Sequence, residues 1–379
     1  MNLRCVAAVA SISIGLAPCL VSAAEMKAAV VMSLTGSYAF AGVPIVNGMK
    51  IAQEDLEKEG YWGSNKFEVS YQDNRSDKQE AITLLNKFAQ DPSTLIFIGP
   101  TSTAEALAAA PAANELKIPL YSNGTHSGIL AAGPWSFKSS ENAKNFVKPL
   151  GEYIARKLKP KSCYLVSIRD NVAYKEYAEA FAEGLKAGAT RVNGNDTIVT
   201  TESDFTSLAT KIVDSGADCV YVSTLPEPGA NFIIQLRQAG LPDDAIIVST
   251  QNAAGAPFIK TGGAAVEGTY FIAEFSPFTP NEVTSDFITK YTKSYGNPPD
   301  TWAAIGYSML KVAAHSIRKA ANDAGGRPTR DQVREAMANA KDVPVVIGEF
   351  GRYSVDKDRV PHFAPVILQL KNGKAVKPN

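Results

Sequence analysis

Histidine and cysteine are scarce in this sequence, and neither sign of charge is in excess. The 379 residues include 3 histidines and 4 cysteines, and 38 basic residues balance 38 acidic ones. The histidines (His126, His315 and His362) and the cysteines lack the spacing of metal-ligand motifs, so we expect no bound metal. The basic residues are scattered rather than grouped, so the chain lacks the positive surface that recruits nucleic acid. We therefore expect neither a metal nor a nucleic acid as partner.

The common catalytic and cofactor motifs are also missing. The sequence has no G-x-S-x-G elbow, no G-x-x-x-x-G-K phosphate loop, no H-E-x-x-H and no G-x-G-x-x-G after a strand. His126 is the best catalytic candidate, but no nucleophile or orienting acid accompanies it in the sequence. We expect a binding protein without a cofactor, and not an enzyme.

The N-terminus has the pattern of a secretory signal. Arg4 is the only charged residue before Glu25, an apolar stretch follows it, and Ser22, Ala23 and Ala24 are small. This pattern predicts a signal peptide over residues 1–24, cleaved near Ala24, and hence export to the periplasm. A membrane anchor and a lipoprotein site at Cys19 are the alternatives, but the apolar stretch is short and contains Pro18.

Two cysteines, Cys163 and Cys219, remain after this cleavage. Each begins an apolar run typical of a strand, and those strands could be neighbours. Export permits a disulfide between them, whereas two buried core thiols would suit the same positions. The sequence leaves both alternatives open.

Short apolar strands alternate with helical segments through most of the chain. Strands are predicted at 27–32, 67–72, 94–98 and 118–122, and the same alternation restarts with strands at 163–168, 197–200, 219–224 and 246–250. Continuous apolar strands between helices indicate parallel sheets covered on both faces. The fold class is therefore α/β, with two open, doubly wound parallel-sheet lobes. No flexible linker separates them, so we expect several chain crossings, each a candidate hinge.

Hydroxyl and aromatic residues follow the strands of the first half. Ligands of open parallel sheets bind beyond the carboxyl ends of the strands. Two of these loops lead into helix starts, whose free N–H groups and positive dipole can hold a carboxylate. Simple helix capping is the alternative role for each hydroxyl. The candidate ligand contacts from these loops and from the rim are Ser102, Thr103, Thr125, His126, Ser127, Tyr38, Phe40 and Tyr174.

Several segments in order resemble one family. They are Ser33-Leu-Thr-Gly36, Asn47-Gly48, Tyr71-Gln-Asp73, Phe97-Ile-Gly-Pro-Thr-Ser102, Ile118-Pro-Leu-Tyr-Ser-Asn-Gly124, Leu236-Arg-Gln-Ala-Gly-Leu241 and Val266-Glu-Gly268. Over nearly the whole mature chain, the sequence resembles the type I periplasmic solute-binding proteins of ABC importers, the group that includes the leucine/isoleucine/valine-binding proteins. The resemblance implies a permease and ATPase complex as membrane partner.

The resemblance also implies two lobes joined by three crossovers. The first lobe would comprise residues 25–142 and about 274–348, and the second 143–273 and about 349–379. In the family, loops matching Ser102, Thr103 and 125–127 hold the ligand carboxylate, and Tyr174 matches a tyrosine. Acidic side chains of the second lobe hold the ligand ammonium, but here those positions fall on Ala143 and Gln251. A second-lobe aromatic position falls on Leu225.

The two missing acids bear on the ligand, because a buried ammonium needs a compensating charge. We therefore expect a small carboxylate without an ammonium, such as an aryl or branched carboxylic acid or a 2-oxo acid. Glu227 is an acid that could replace the missing partners, so a branched-chain or other hydrophobic amino acid is the alternative ligand. A periplasmic sensor subunit is the alternative role, since one fold serves several functions. We expect a monomer.

Overall fold

The computed structural model describes residues 25–278, 280 and 282–378. The predicted signal peptide lies outside the described residues. Within the described part, no helix is both long and apolar enough to span a bilayer, and no cluster of side chains could hold a metal ion.

The first lobe begins with an all-parallel sheet of strand order β2-β1-β3-β4-β5. Its apolar strands form because their side chains are buried on both faces by helices. The elements in chain order are β1 (Glu25–Met32), α1 (Ala39–Lys58), β2 (Lys66–Asp73), α2 (Lys78–Ala89), β3 (Thr94–Ile98), α3 (Thr103–Glu115), β4 (Leu120–Ser122), α4 (Gly128–Ala131) and β5 (Ser136–Lys138).

The second lobe is built in the same way from the middle of the chain. Its elements are α5 (Ala143–Tyr153), β6 (Ser162–Ile168), α6 (Val172–Leu185), β7 (Arg191–Ile198), α7 (Thr206–Asp214), β8 (Cys219–Ser223), α8 (Pro226–Gln238), β9 (Ile246–Ser249), α9 (Ala256–Gly262) and β10 (Tyr270–Ala273). The predicted strand at 197–200 is wrong in its bounds: β7 begins at Arg191. The residues of β7 are mostly exposed at the sheet edge, so no apolar run in the sequence indicates where this strand begins.

The rest of the chain returns to both lobes. The elements are α10 (Glu282–Tyr295), α11 (Thr301–Asp323), α12 (Arg330–Ala338), β11 (Val343–Pro344), β12 (Arg352–Val355), β13 (Pro361–His362), β14 (Val366–Lys371) and β15 (Lys374–Val376). Strand β14 pairs antiparallel with β10 and extends the second sheet to the order β15-β14-β10-β9-β8-β6-β7. The expected α/β class with two doubly wound lobes is confirmed.

The third crossover lies later than the predicted boundary near residue 349. Strands β11, β12 and β13 form a small antiparallel sheet of their own. Tyr353, Val355 and Phe363 on this segment are buried in the core of the first lobe. The chain therefore enters the second lobe between Phe363 and β14, because these apolar side chains need the first core to cover them.

Helices α1 and α11 pack at an unusually short distance through two glycines. A Cβ atom on Gly48 would overlap the carbonyl oxygen of Ala303, and one on Gly306 would overlap that of Ile45. Only glycine permits this approach of two helix backbones. The contact fixes the start of α11, where Trp302 lies, against the first lobe.

A disulfide joins Cys163 in β6 to Cys219 in β8, with their Cα atoms 4.3 Å apart. The two residues are register partners in neighbouring parallel strands of the second sheet, in which β6 lies next to the edge strand β7. Of the two alternatives that the sequence left open, the structure contains the bridge.

Replacing both Cys163 and Cys219 by alanine should lower the free energy of unfolding by about 2 to 4 kcal/mol, because the bridge closes a long loop in the unfolded chain. Urea denaturation of the oxidised protein and of the double variant measures this difference. Reductant should destabilise the wild type by a similar amount and leave the variant unchanged. Equal denaturation midpoints for the oxidised protein and the variant would contradict the prediction.

Candidate binding site between the lobes

A buried carboxylate ties together the strand ends of the first lobe. Glu105 is 1% exposed. One of its oxygens accepts hydrogen bonds from Ser33 Oγ (3.0 Å) and Asn74 Nδ2 (3.1 Å), and the other accepts one from the backbone N–H of Ser102 (2.8 Å). The loops after β1 and β2 and the start of α3 are thereby held at one point.

The N-terminus of α3 is capped and faces the space between the lobes. Ser102 Oγ accepts a hydrogen bond from the N–H of Glu105 (3.3 Å), and with the Glu105 side chain this completes a capping box. In a helix the first N–H groups have no intrahelical partner, and those of Thr103 and Ala104 lie at this end of α3. With the helix dipole, they provide a site for an anion.

The loop after β4 lies beside this helix start. The N–H of Thr125 donates to Thr103 Oγ1 (3.0 Å), and the two threonine hydroxyls are 3.4 Å apart. Behind the loop, the buried Lys138 ammonium donates to the carbonyl oxygen of Thr125 (2.6 Å) and to Asn142 Oδ1 (2.5 Å). Burial lowers the pKa of Lys138 to about 7. A titratable cation therefore stands directly behind the anion site.

The second lobe contributes a wall of neutral polar groups. A 3₁₀ turn at Gln251–Ala254 follows β9, and Thr250 caps it by accepting from the N–H of Asn252 (3.3 Å). Asn252 Nδ2 donates to Tyr174 Oη (3.0 Å) and to the carbonyl oxygen of Thr224 (2.7 Å). Burial raises the pKa of Tyr174 well above its usual value, so the phenol stays protonated.

Aromatic residues of the first lobe cover the same space. Phe40 packs edge-on against Trp302, with ring centroids 5.9 Å apart, and lies 6.1 Å from the ring of Tyr38. Tyr38 Oη accepts a hydrogen bond from Asn171 Nδ2 of the second lobe (2.6 Å). Burial raises the pKa of Tyr38 to about 12. This hydrogen bond joins the two lobes across the cleft.

These walls line a cavity of about 50 Å³ between the lobes. Among the described residues, no acidic or basic side chain lines it. A single water needs about 10 to 15 Å³, so the cavity holds only a few water-sized groups, and a solute as large as an aromatic acid requires slight opening. The lining residues are Tyr38, Phe40, Ala41, Thr101, Ser102, Thr103, Asn123, Thr125, Asn171, Ala173, Tyr174, Tyr177, Thr250, Gln251, Asn252 and Trp302.

Seven of the ten candidate residues from the sequence line this cavity: Tyr38, Phe40, Ser102, Thr103, Thr125, Tyr174 and Gln251. The other three, His126, Ser127 and Leu225, lie elsewhere. His126 Nε2 pairs with Glu176 Oε1 of the second lobe (3.1 Å), and Ser127 lines a neighbouring surface groove. Leu225 and Glu227 line another groove, so Glu227 does not face the enclosed space, and Ala143 is buried in the core of the second lobe.

Trp302, Asn171 and Tyr177 also line the cavity, although they were not among the candidates predicted from the sequence. Asn171 follows the carboxyl end of β6, so the same rule that found Ser102 could have found it. Trp302 lies at the start of a helix far along the chain, and its surroundings have the apolar pattern of a core helix. Only the packing of α11 on α1 brings it to the cleft.

Comparison with known proteins gives one consistent result. A family model described as "Periplasmic binding protein" matches residues 25–375. The chain is 24% identical over 353 residues to Leu/Ile/Val-binding protein homolog 3 of Brucella melitensis, covering 92% of each chain. Its fold matches that of the leucine-binding protein LivK from Thermotoga maritima, with a TM-score of 0.82, 22% identity and coverage of 93% and 99%. It also matches a solute-binding protein of an ABC transporter from R. palustris in complex with benzoate, with a TM-score of 0.79, 21% identity and coverage of 93% and 95%.

Replacing Tyr38 by phenylalanine should weaken solute binding by about threefold to tenfold, because the closed form loses one hydrogen bond across the cleft. Calorimetric titration measures the affinity, and small-angle scattering measures the closed fraction. Tyr71→Phe is a matched control, since its hydroxyl bonds Gln53 within the first lobe. An unchanged affinity in Tyr38→Phe would show that this contact does not contribute to closure.

Proposed function

Because this chain belongs to the periplasmic binding protein family, we propose that it is the solute-binding component of an ABC importer and that it holds a small carboxylate without an ammonium. The preferred solutes are aryl or branched carboxylic acids and 2-oxo acids. In keeping with its family, the chain is a binding protein and not an enzyme.

The observation that carries the proposal is the asymmetry of the cavity. One wall offers the N-terminus of α3 with the hydroxyls of Ser102, Thr103 and Thr125, which suits a carboxylate. The opposite wall is neutral, and no acidic side chain of the described residues lines it. A buried ammonium would therefore lack a counter-charge, which is strongly unfavourable.

The aromatic part of the lining supports a flat or branched apolar solute. Tyr38, Phe40, Tyr174, Tyr177 and Trp302 provide the apolar contact area that hydrophobic ligands use. The R. palustris neighbour holds benzoate, which is a carboxylate of this kind. The names of the Brucella and Thermotoga relatives favour leucine, isoleucine or valine instead, so a branched-chain amino acid is the second candidate.

The mechanism follows from the position of the cavity between the lobes. A solute that contacts both walls binds the closed form more tightly than the open form and so shifts the population towards closure. The Tyr38–Asn171 hydrogen bond and the His126–Glu176 pair form only when the lobes are together. A membrane permease and its ATPase would then recognise the closed surface.

The proposal predicts the order of affinities. Protein stripped of solute by unfolding and refolding should bind benzoate or the 2-oxo acid of leucine at least about tenfold more tightly than leucine, measured by calorimetry. Gln251→Glu should reverse this order, because the new carboxylate repels the acids and pairs with the ammonium. Gln251→Asn is the matched neutral control. Tighter binding of leucine by the wild type would contradict the proposal.

Binding of the acid should also depend on pH through Lys138. Its pKa is lowered to about 7 by burial, against the opposing effects of Glu176, Glu141 and Glu274, so its ammonium loses its charge as the pH rises through this value. The affinity for benzoate, which stays ionised, should therefore fall by up to about tenfold between about pH 6 and pH 8.

Titrations across this pH range should show that Lys138→Met binds weakly at low pH and has lost the dependence. Burial raises the pKa of Glu274 to about 8, so this carboxyl group titrates close to the same pH range. Glu274→Gln is accordingly the control, and it should keep most of the dependence. A wild-type affinity that is flat across the range would exclude a role for the Lys138 charge.

A further inference from the structure

Two buried polar atoms of the lining residues lack any hydrogen-bond partner. They are Oε1 of Gln251 in the second lobe and Nε1 of Trp302 in the first, and neither has a partner among the described residues. The two side chains are 4% and 6% exposed. Buried polar groups are nearly always hydrogen-bonded, and an unsatisfied one costs about 1 to 3 kcal/mol. Both residues line the same small cavity, so a bound solute is the natural partner for both.

The local backbone holds both side chains in place. Trp302 lies in the first turn of α11, which Asp300 caps by accepting from the N–H of Ala303 (2.9 Å), and Phe40 packs against its ring. Gln251 lies in the capped 3₁₀ turn after β9. Both residues line the cavity, so a solute bound there can supply the missing partner.

The chemistry of the two groups limits what the partner can be. The indole N–H only donates, so it needs an acceptor. The amide of Gln251 presents an oxygen in the orientation described, and its nitrogen when flipped. An ammonium has no acceptor for the indole, and a second carboxylate satisfies both groups only when the amide is flipped. An uncharged hydroxyl both donates and accepts, so it satisfies either group in either orientation.

We propose that the solute is a hydroxyaryl carboxylate, whose carboxylate lies at the start of α3 and whose hydroxyl meets Gln251 and Trp302. This inference rests on the proposed function, because it requires the solute carboxylate to lie at the start of α3. It adds the two residues that distinguish a hydroxylated acid from one without the hydroxyl. A site that bonds a hydroxyl rejects analogues lacking it far more strongly than an apolar pocket rejects a change of size.

Calorimetric titration of the stripped protein tests the inference with benzoate, para-methylbenzoate, and meta- and para-hydroxybenzoate. One hydroxybenzoate should bind at least about tenfold more tightly than both benzoate and the methyl analogue. Gln251→Met and Trp302→Phe should each reduce this preference to about threefold or less. Tyr71→Phe should retain it. The ratio of affinities within one variant is the readout, because loss of packing weakens all of the acids alike.

The outcomes separate the two proposals. Equal affinities of the wild type for benzoate and both hydroxybenzoates would overturn this inference and leave the carboxylate function standing. A preference that survives in both Gln251→Met and Trp302→Phe would also overturn it. Failure of every acid, with leucine bound tightly, would overturn the proposed function and the inference together. Thermal melting verifies that each variant is folded, and Gln251→Leu replaces Gln251→Met if that variant does not fold.

Discussion

The buried carboxylate of Glu105 is the contact on which the proposed anion-binding wall depends. It accepts hydrogen bonds from the loops after two neighbouring strands and from the first residue of the capping box. Without it, Ser33 and Asn74 would lose the buried acceptor that they share, and α3 would lose half of its capping box. The direction of α3, and hence the position of its N-terminal N–H groups, follows from this one side chain.

The charged side chains near the site do not line the cavity. Neutral hydroxyls, amides and aromatic rings line the cavity, while Lys138 and Glu274 lie buried in the layer behind it. Ser140 Oγ donates to Glu274 Oε1 (2.6 Å) and so joins the first crossover to the second. The two groups with displaced pKa values therefore lie beside the segments where the chain crosses between the lobes.

The sequence predicted the parts of the molecule that local patterns determine. Strand runs, helix starts and turn residues located both lobes and the loops of Ser102, Thr103 and Thr125, since parallel strands bring their carboxyl ends to one edge. Long-range packing could not be predicted from the sequence, because no residue near Trp302 indicates that α11 returns to the cleft. The predicted boundary near residue 349 falls just before β12, whose Tyr353 and Val355 pack in the core of the first lobe. Pairing of Cys163 with Cys219 required the strand register.

The glycine contact between α1 and α11 also constrains the order in which the lobes are completed. Gly48 and Gly306 bring the two helix backbones together although about 260 residues separate them along the chain. A chain that emerges from its N-terminus first has made β1, α1 and the whole run from β6 to β10 before α11 exists. The parallel strands of the second lobe can therefore assemble from segments that are close in sequence. The apolar face of α1, in contrast, stays uncovered until α11 has been made. Such distant pairing slows folding, so the first lobe completes its core only after β6 to β10 of the second lobe have been made.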